Sequence, residues 1–189
     1  KTYDKVACQF GYRDSIFKQE LKHKVVITDV SLRLKKENFR LNTSYGAIAQ
    51  LLSSKGISTP SPKEIADVII DIRTKKLPDP KQLGNAGSFF KNPIVDYDQL
   101  EQLKSSFPDI PHYALPNQKF KIPAAWLIEQ VGLKGTRNGD VGIHKHHALV
   151  LVNFGNASGH DIKAFSQVVL QAVKERFDIL LQPEVNFCC

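Results

Sequence analysis

The stretch HALVLVNFGNASGHDIKAFSQVVLQAVKERF, residues 147–177, carries the strongest signals for the fold. Residues 147–153 form a short apolar run of the kind that buried β-strands contain. Residues 158–177 predict an amphipathic helix, because Ser158 is a suitable N-cap and Asp161 follows three residues later. Apolar residues then recur with helical spacing, at Ile162, Phe165, Val169 and Val173. The sequence therefore predicts a buried strand followed by a helix with one apolar face.

A second clear helix signal lies earlier in the chain, at residues 61–76. Ser61 is the expected N-cap, Pro62 suits the first turn, and Glu64 completes a capping box. Apolar residues at helical spacing predict one buried face, formed by Ile65, Val68, Ile69 and Ile72. The helix dipole is a sufficient structural reason for the cations at the other end, which are Arg73, Lys75 and Lys76.

Weaker patterns complete the coarse organisation. Shorter helices are predicted at 44–56, 97–106 and 122–135. Strands are predicted at 24–34, at 89–95 and at 178–187, the last interrupted by Pro183, which favours a sheet edge or a bulge. Two prolines and a glycine make residues 77–84 the best candidate for a domain boundary, and residues 105–118 are predicted to be a proline-rich loop. This mixture of elements indicates an α+β or an α/β fold.

The composition is that of a globular protein. Of its 189 residues 42% are apolar, which is enough for a buried core. No apolar run approaches the length of a membrane span and no signal peptide is visible, so we expect a soluble protein. The chain contains no methionine, even at its start, which predicts a piece of something longer. Cys8, Cys188 and Cys189 fit neither a disulfide framework nor a zinc site, which favours a reducing, cytoplasmic setting.

The formal net charge of +7 favours anionic partners. The basic residues are scattered along the chain, whereas nucleic-acid binding favours a basic stripe with interleaved aromatic residues. A small phosphorylated or carboxylated ligand is therefore at least as well supported as nucleic acid. A solvated surface with a basic excess explains the charge equally well.

Two polar residues in non-periodic segments are candidates for chemistry. Arg13, in GYRDSIF at 11–17, can hold a carboxylate or enolate through a two-pronged contact; a surface pair with Asp14 is the alternative. Ser88 lies in GNAGSFFKNP at 84–93, where glycines permit a turn that holds an anion or a substrate. A serine can protonate a carbanion only within hydrogen-bond reach and with cationic help, so a plain turn serine remains the alternative.

Two further features leave alternatives open. In HKHH, residues 144–147, His144 and His146 would share one strand face as metal ligands require, but no third ligand follows with suitable spacing. We therefore predict no metal site. Glu184 follows a strand-breaking proline and is either a solvated edge charge or a carboxylate directed into a cleft. No P-loop, GxGxxG, HExxH or GxSxG motif occurs. The residues alone indicate a soluble mixed α and β domain, and they leave open whether its basic surface binds an anion or is simply solvated.

Five segments, in their order along the chain, resemble the UDP-N-acetylenolpyruvoylglucosamine reductase family, a bacterial, FAD-dependent family of peptidoglycan synthesis. They are FGYRDSIFK at 10–18, RTKKLPDPKQLGNAGSFFKNP at 73–93, AAWLIEQVGLKG at 124–135, HALVLVN at 147–153 and PEVNF at 183–187. The block from LPDPK to GNAGSFFKNP is highly specific, whereas the other strand and helix segments are not. The resemblance runs through nearly the whole chain.

The resemblance implies a reductive reaction. NADPH reduces FAD, and the flavin passes a hydride to the enolpyruvyl group of UDP-N-acetylglucosamine enolpyruvate; protonation of the resulting carbanion gives UDP-N-acetylmuramate. It implies that Ser88 is the proton donor and that Arg13 and Glu184 manage charge on the substrate carboxylate and its enolate. A preorganised arginine helps most where charge develops in the transition state. Glu184 beside a carboxylate has to be protonated or hydrogen-bonded.

The resemblance also implies binding roles. The substrate's diphosphate and sugar are held by Tyr45, Lys76 and Asn92. Tyr45 lies on a loop that closes over the substrate in one of the two family subtypes, to which this chain is similar. Tyr12 and Arg73 match positions that contact the cofactor. His147 stands where a glutamine is expected, and a histidine can still hydrogen-bond to the substrate there.

On this resemblance the fold is α+β and the chain is the end of a two-part flavoenzyme. Residues 1–77, with a closing strand at 179–189, match the end of the FAD-binding region, and residues 78–178 match the substrate-binding domain. Most flavin contacts in the family precede this part, so we expect the chain alone to bind FAD poorly and to be inactive. We expect no metal, nucleic-acid or membrane partner. The alternative is a non-catalytic module that binds a sugar nucleotide or another anion.

Overall fold

The computed structural model describes residues 1–37, 39–44 and 47–187, in two compact units. The first unit, Lys1–Asn42, has little regular structure: a 3-10 helix at Ile16–Lys18 and a single backbone bridge between Gly11 and Asp14. The second unit, Thr43–Cys189, contains the α-helices and the sheets described below.

The second unit is a mixture of helices and antiparallel strands. Its elements are α1 (Ile48–Ser54), α2 (Pro62–Lys76), β1 (Gly84–Ser88), β2 (Ile94–Val95), α3 (Tyr97–Ser106), β3 (Tyr113–Leu115), β4 (Lys119–Lys121), α4 (Ala124–Gln130), β5 (Arg137–Asn138), β6 (Val141–His144), β7 (His147–Asn153) and α5 (Gly159–Phe177). One sheet has the strand order β1-β7-β6-β5 and the other β2-β4-β3, with every pairing antiparallel. The fold class is therefore α+β.

The main core lies around β7 and α5, the two elements that the sequence predicted most clearly. Strand β7 contributes Ala148 and Leu151 to one apolar cluster, and α5 contributes Val169 and Val173. Residues of α3 and α4 belong to the same cluster. Ser158 caps α5 and forms the predicted capping box with Asp161. The predictions of a strand at 147–153 and a helix at 158–177 are confirmed.

Helices α1 and α2 form a smaller cluster of their own. Its fully buried members are Ile48, Leu52, Ile65 and Val68. The predicted capping box between Ser61 and Glu64 is present at the start of α2, so this helix is confirmed. Ile69 was predicted to be buried but is 37% exposed, because it lies at the margin of the face that α1 covers. The predicted helix at 44–56 is confirmed in shorter form as α1.

Residues 24–34 do not form the predicted strand. Their apolar side chains are exposed; Val26 is 86% and Leu32 78% accessible. A strand needs a neighbouring edge for its backbone hydrogen bonds, and none of the described residues pairs with this segment. The alternating pattern alone was therefore not sufficient to predict a strand.

Several other boundaries differ from the predictions. The glycine-rich segment at 84–88, interpreted as a turn, is strand β1. The strand predicted at 89–95 is limited to β2. The predicted proline-rich loop contains β3, and the predicted helix at 122–135 is limited to α4. The helix predicted at 97–106 is confirmed as α3. Among the described residues, no helix has the length and apolar character needed to cross a membrane.

Candidate active site

Ser88 ends the glycine-rich strand β1, which pairs with β7. The side chain of Asn85 shapes this strand: its Oδ1 accepts a hydrogen bond from the Gly87 N–H at 3.0 Å, and its Nδ2 donates to the Leu83 carbonyl at 2.8 Å. Gly87 has φ +72°, a left-handed conformation that glycine adopts without strain, and the register with β7 shifts between Asn85 and Ser88. At the end of this irregular strand, Ser88 is exposed to solvent.

The C-terminal segment brings Glu184 beside the residue that follows Ser88. The Glu184 N–H donates to the Phe89 carbonyl at 2.8 Å. Pro183 and Phe90 form an isolated antiparallel bridge next to this bond. Because proline has no N–H, it cannot donate to a ladder, and the predicted C-terminal strand is reduced to this single bridge. Ser88 and Glu184 therefore flank one short stretch of backbone pairing.

Buried side chains hold this C-terminal segment in place. Ile179 and Leu181 are 3% and 2% exposed and belong to the main core, whereas Leu180 between them is 64% exposed. Glu184 is half-buried. The segment thus has the alternation of a strand and the anchoring that residues 24–34 lack.

Asn92, the predicted substrate contact, already has one structural partner. Its Oδ1 accepts a hydrogen bond from the Ala124 N–H at 2.9 Å, at the start of α4. The N-cap position of α4 is Pro123, whose side chain cannot accept a hydrogen bond, so Asn92 satisfies a helix N–H from outside the helix. This bond leaves the Nδ2 amino group as the donating end of the half-buried side chain.

Arg73 and Lys76 lie in the last turn of α2, and both are exposed. The helix ends there because Leu77 turns into extended backbone, although its N–H still donates to the Arg73 carbonyl at 2.8 Å. Cations at this end interact favourably with the helix dipole, so their position also has a structural reason.

His147 lies in the tight hairpin between β6 and β7. His144 is its cross-strand partner, and the two rings stack with centroids 6.0 Å apart and an interplanar angle of 13°. His144 and His146 do not share a strand face as predicted, because His146 lies in the turn. Burial lowers the pKa of His147, and the nearby His144, Lys76, Lys134 and His146 lower it further. The charge of Lys76 therefore acts on His147.

Tyr12 and Arg13 lie in the unit Lys1–Asn42, at the tip of a tight turn. The Gly11 N–H donates to the Asp14 carbonyl at 2.9 Å, and this bond closes the turn. Arg13 has φ +56°, which is uncommon for a residue with a side chain. Both Tyr12 and Arg13 are exposed.

The prediction for Tyr45 falls outside the described residues. Sequence reasoning also missed Lys134 as a neighbour of His147. Its position in a loop after α4 gives no local signal. The neighbouring Gly135 lies close to the hairpin: an added Cβ there would be 3.6 Å from the Lys145 Cα. His144 and His146 were considered only as metal ligands. Over residues 1–37, 39–44 and 47–187, no three His, Cys, Asp or Glu residues form a metal-binding group.

A cavity of about 420 Å³ lies away from these residues, between the β5–β6 turn and the first turns of α5. Asp140 and Asp161 line its polar part, and Phe165 and Val168 its apolar part. The described residues predicted for the site do not line this cavity.

Comparison with known proteins places the chain in a family. The C-terminal domain of UDP-N-acetylenolpyruvoylglucosamine reductase is matched by residues 79–188. Curated relatives with that reductase name come from Flavobacterium johnsoniae, Amoebophilus asiaticus and Pseudomonas aeruginosa; they are 50%, 48% and 46% identical over 98% of this chain. The matched regions are 55%, 55% and 54% of these relatives, so the chain spans about half the length of the curated relatives it matches. The chain therefore belongs to the UDP-N-acetylenolpyruvoylglucosamine reductase family.

Proposed function

We propose that this chain provides the substrate-binding part and several catalytic residues of an FAD-dependent, NADPH-using oxidoreductase. Its substrate is UDP-N-acetylglucosamine enolpyruvate and its product UDP-N-acetylmuramate, a step of peptidoglycan synthesis in the bacterial cytoplasm. The reductase name of the relatives supports this proposal. The observation that carries it is the hydrogen bond from the Glu184 N–H to the Phe89 carbonyl at 2.8 Å, because it holds an acidic residue beside Ser88.

The proposed task of Ser88 is to deliver a proton. In the reaction the bound flavin supplies a hydride to the enolpyruvyl double bond, and negative charge develops on the carbon next to the carboxylate. The Ser88 Oγ–H donates its proton to that carbon, a C–H bond forms, and solvent replaces the proton on the alkoxide. The exposure of Ser88 at the end of β1 supports this role, since a general acid must come within hydrogen-bond reach of the reacting carbon.

Arg13 and Glu184 are proposed to manage the charge that develops on the substrate. A guanidinium forms two parallel hydrogen bonds with a carboxylate, and this interaction strengthens as the enolate forms. The left-handed backbone of Arg13 supports a functional role, because such a conformation costs on the order of 1 kcal/mol or more and is concentrated at functional sites. Glu184 is proposed to act at the same carboxylate and enolate, from its half-buried position beside Phe89.

The substrate's diphosphate and sugar are proposed to bind Lys76, Asn92 and His147, with Tyr45 closing over them. The effect of the Lys76 charge on the pKa of His147 supports a common phosphate site. The Nδ2 of Asn92 can donate to a phosphate or sugar oxygen, since its Oδ1 is bonded to Ala124.

The flavin is proposed to contact Tyr12 and Arg73. Both side chains are exposed, and they have suitable chemistry: an aromatic face for a ring system and a guanidinium for a phosphate. Two side chains do not enclose a molecule the size of FAD, so we expect this chain alone to bind flavin weakly and to show no turnover. In this proposal residues 1–77 and 179–189 serve the FAD-binding region and residues 78–178 the substrate domain.

The proposal is tested by separating the two half-reactions in a full-length reductase that contains this sequence. Ser88→Ala should leave reduction of the flavin by NADPH intact and slow reoxidation by substrate by about 10²-fold or more. Ser105→Ala, which changes an exposed helix serine bonded to the Gln102 carbonyl, is the matched control and should leave both rates unchanged. Normal rates of both half-reactions in Ser88→Ala would exclude Ser88 as the proton donor. Binding of UDP-sugars without flavin in every form of the protein would instead support the non-catalytic alternative.

A further inference from the structure

Three histidines meet at the β6–β7 hairpin, and only His147 was expected to bind substrate. The ring of His144 is stacked on His147 at 6.0 Å and lies edge-on to His146 at 5.7 Å. The His146 N–H lies 3.4 Å from Nδ1 of His144 and donates to it. A ring nitrogen that accepts carries no proton, so this arrangement favours the neutral form of His144.

The surroundings of the two stacked rings are basic. Burial lowers the pKa of His144 below its ordinary value of 6.5, and His146 and Lys145 lower it further. Burial has the same effect on His147, where His144, Lys76, Lys134 and His146 add to it. Every charged group of the described residues that shifts either pKa is thus a histidine or a lysine.

Two of these lysines come from outside the hairpin. Lys76 is the last residue of α2, and Lys134 lies in the loop after α4. Lys134 is 2.8 Å from Glu129, but both side chains are substantially exposed, so this ion pair neutralises the local potential only weakly. Lys76 and Lys134 therefore add positive charge that acts on His147.

We propose that His144, His146 and His147, with Lys76 and Lys134, form a diphosphate site that takes up a proton as it binds, so that affinity increases as the pH falls. The inference rests on the proposed function, which assigns the substrate's diphosphate to Lys76 and His147. The inference adds His144, His146 and Lys134 to that site. It also adds a pH dependence, which a glutamine at position 147 would not produce because its side chain does not titrate.

The direction of the effect follows from the two states of the rings. In the free protein burial and basic neighbours favour the neutral forms of His144 and His147, whereas a bound dianion favours their protonated forms. Between the free and bound pKa values, each proton taken up increases affinity by about tenfold per pH unit. We expect about one proton, because protonating one ring of a stacked pair opposes protonation of the other. Above and below this range affinity is independent of pH.

The test uses UDP-N-acetylglucosamine as the probe, since both of its phosphates are esterified and its charge is constant near neutral pH. Calorimetry between about pH 8 and about pH 6 should show affinity rising by about tenfold or more. Titrations in two buffers with different ionisation enthalpies should show about one proton taken up per probe bound.

Matched variants locate the effect. His147→Gln should remove most of the increase in affinity between about pH 8 and about pH 6, and His144→Gln and His146→Gln should reduce that increase. His160→Gln, an exposed histidine on α5, should keep the wild-type pH profile. A thermal melt of each variant shows whether it is folded, and imidazole proton resonances of the unmodified protein report the same protonation directly.

Binding without proton uptake, or an unchanged pH profile in His147→Gln, would overturn this inference and leave the reductase proposal standing. Absence of probe binding at every pH would overturn the diphosphate site as well. The half-reaction measurement with Ser88→Ala then decides the reductase proposal independently, because it reports on proton transfer and not on this cluster.

Discussion

Helices α2 and α5 begin in the same way. In each, a serine N-cap exchanges hydrogen bonds with the acidic residue three positions later. The serine N–H donates to the carboxylate, at 2.7 Å in α2 and 2.8 Å in α5. The serine Oγ accepts from the N–H of the acidic residue, at 3.2 Å in both helices. Both helices also carry basic residues in the last turn. The two helices are thus stabilised at both ends by the same local interactions: a capping box at the N-terminus and cations at the C-terminus.

The two helices differ in what covers them. Helix α5 buries six residues, most of them in the main core, whereas α2 buries only Ile65 and Val68, in the small cluster with α1. The six residues of α5 are Phe165, Ser166, Val169, Leu170, Val173 and Phe177. Most helix stability in a protein comes from packing of the apolar face, not from capping. We therefore expect α2, which carries Arg73 and Lys76, to open more readily than α5.

The largest expected effect comes from removing the partner of α2. Leu52 on α1 is 3% exposed, and Leu52→Ala should destabilise the α1–α2 pair by about 2–5 kcal/mol. Amide hydrogen exchange in α2 should then accelerate by about thirtyfold or more, while exchange in α5 stays unchanged.

Leu32→Ala is the matched control, because Leu32 is 78% exposed and should affect neither helix. Equal acceleration in α2 and α5 after Leu52→Ala would show that the two clusters unfold as one unit and would break the comparison.

The second prediction compares two equivalent valines. Val169 on α5 and Val68 on α2 are 0% and 1% exposed, so burial alone predicts the same cost for replacement by alanine. We expect Val169→Ala to lower the free energy of unfolding by about 2–3 kcal/mol and Val68→Ala by about 1–2 kcal/mol, because a small cluster collapses more easily around the lost methyl groups. Urea denaturation measures the cost of Val169→Ala, and amide hydrogen exchange in α2 measures the cost of Val68→Ala. Equal costs would mean that the size of the cluster is unimportant.

The same contrast between local and tertiary support explains which elements could be predicted from the sequence. Both capped helices and strand β7 were predicted correctly, since their caps and apolar runs are local signals. Strand β1 was missed because GNAGS has no strand pattern; pairing with β7 and the side-chain hydrogen bonds of Asn85 hold it extended. The strands of two to four residues in the β3–β4 and β5–β6 pairs were missed for the same reason.

Residues 24–34 and 178–187 show the converse. Both have an alternating apolar pattern, but only the second is anchored, through the buried Ile179 and Leu181 and the bond to Phe89. In the candidate site, the sequence indicated His147 but not the approach of Lys134, and it did not predict the bond from Ala124 to Asn92. Such contacts depend on where distant segments meet, which no local pattern encodes.

The smallest expected effect is a pH dependence of the two capping boxes. Hydrogen bonds from Ser61 hold the pKa of Glu64 below its ordinary 4.5, and those from Ser158 hold the pKa of Asp161 below 3.8. Because both values are lowered on folding, each box contributes stability above the ordinary pKa, and this contribution is lost as pH falls through the lowered one. Glu64→Gln and Asp161→Asn remove the titrating group, so each variant should lose less stability than wild type on acidification. If α2 opens separately from α5, the smaller loss of stability in Asp161→Asn appears in the urea midpoint of the whole chain. The smaller loss in Glu64→Gln then appears only in the hydrogen exchange of α2. An effect of Glu64→Gln on the global urea midpoint would show that α2 unfolds together with the main core.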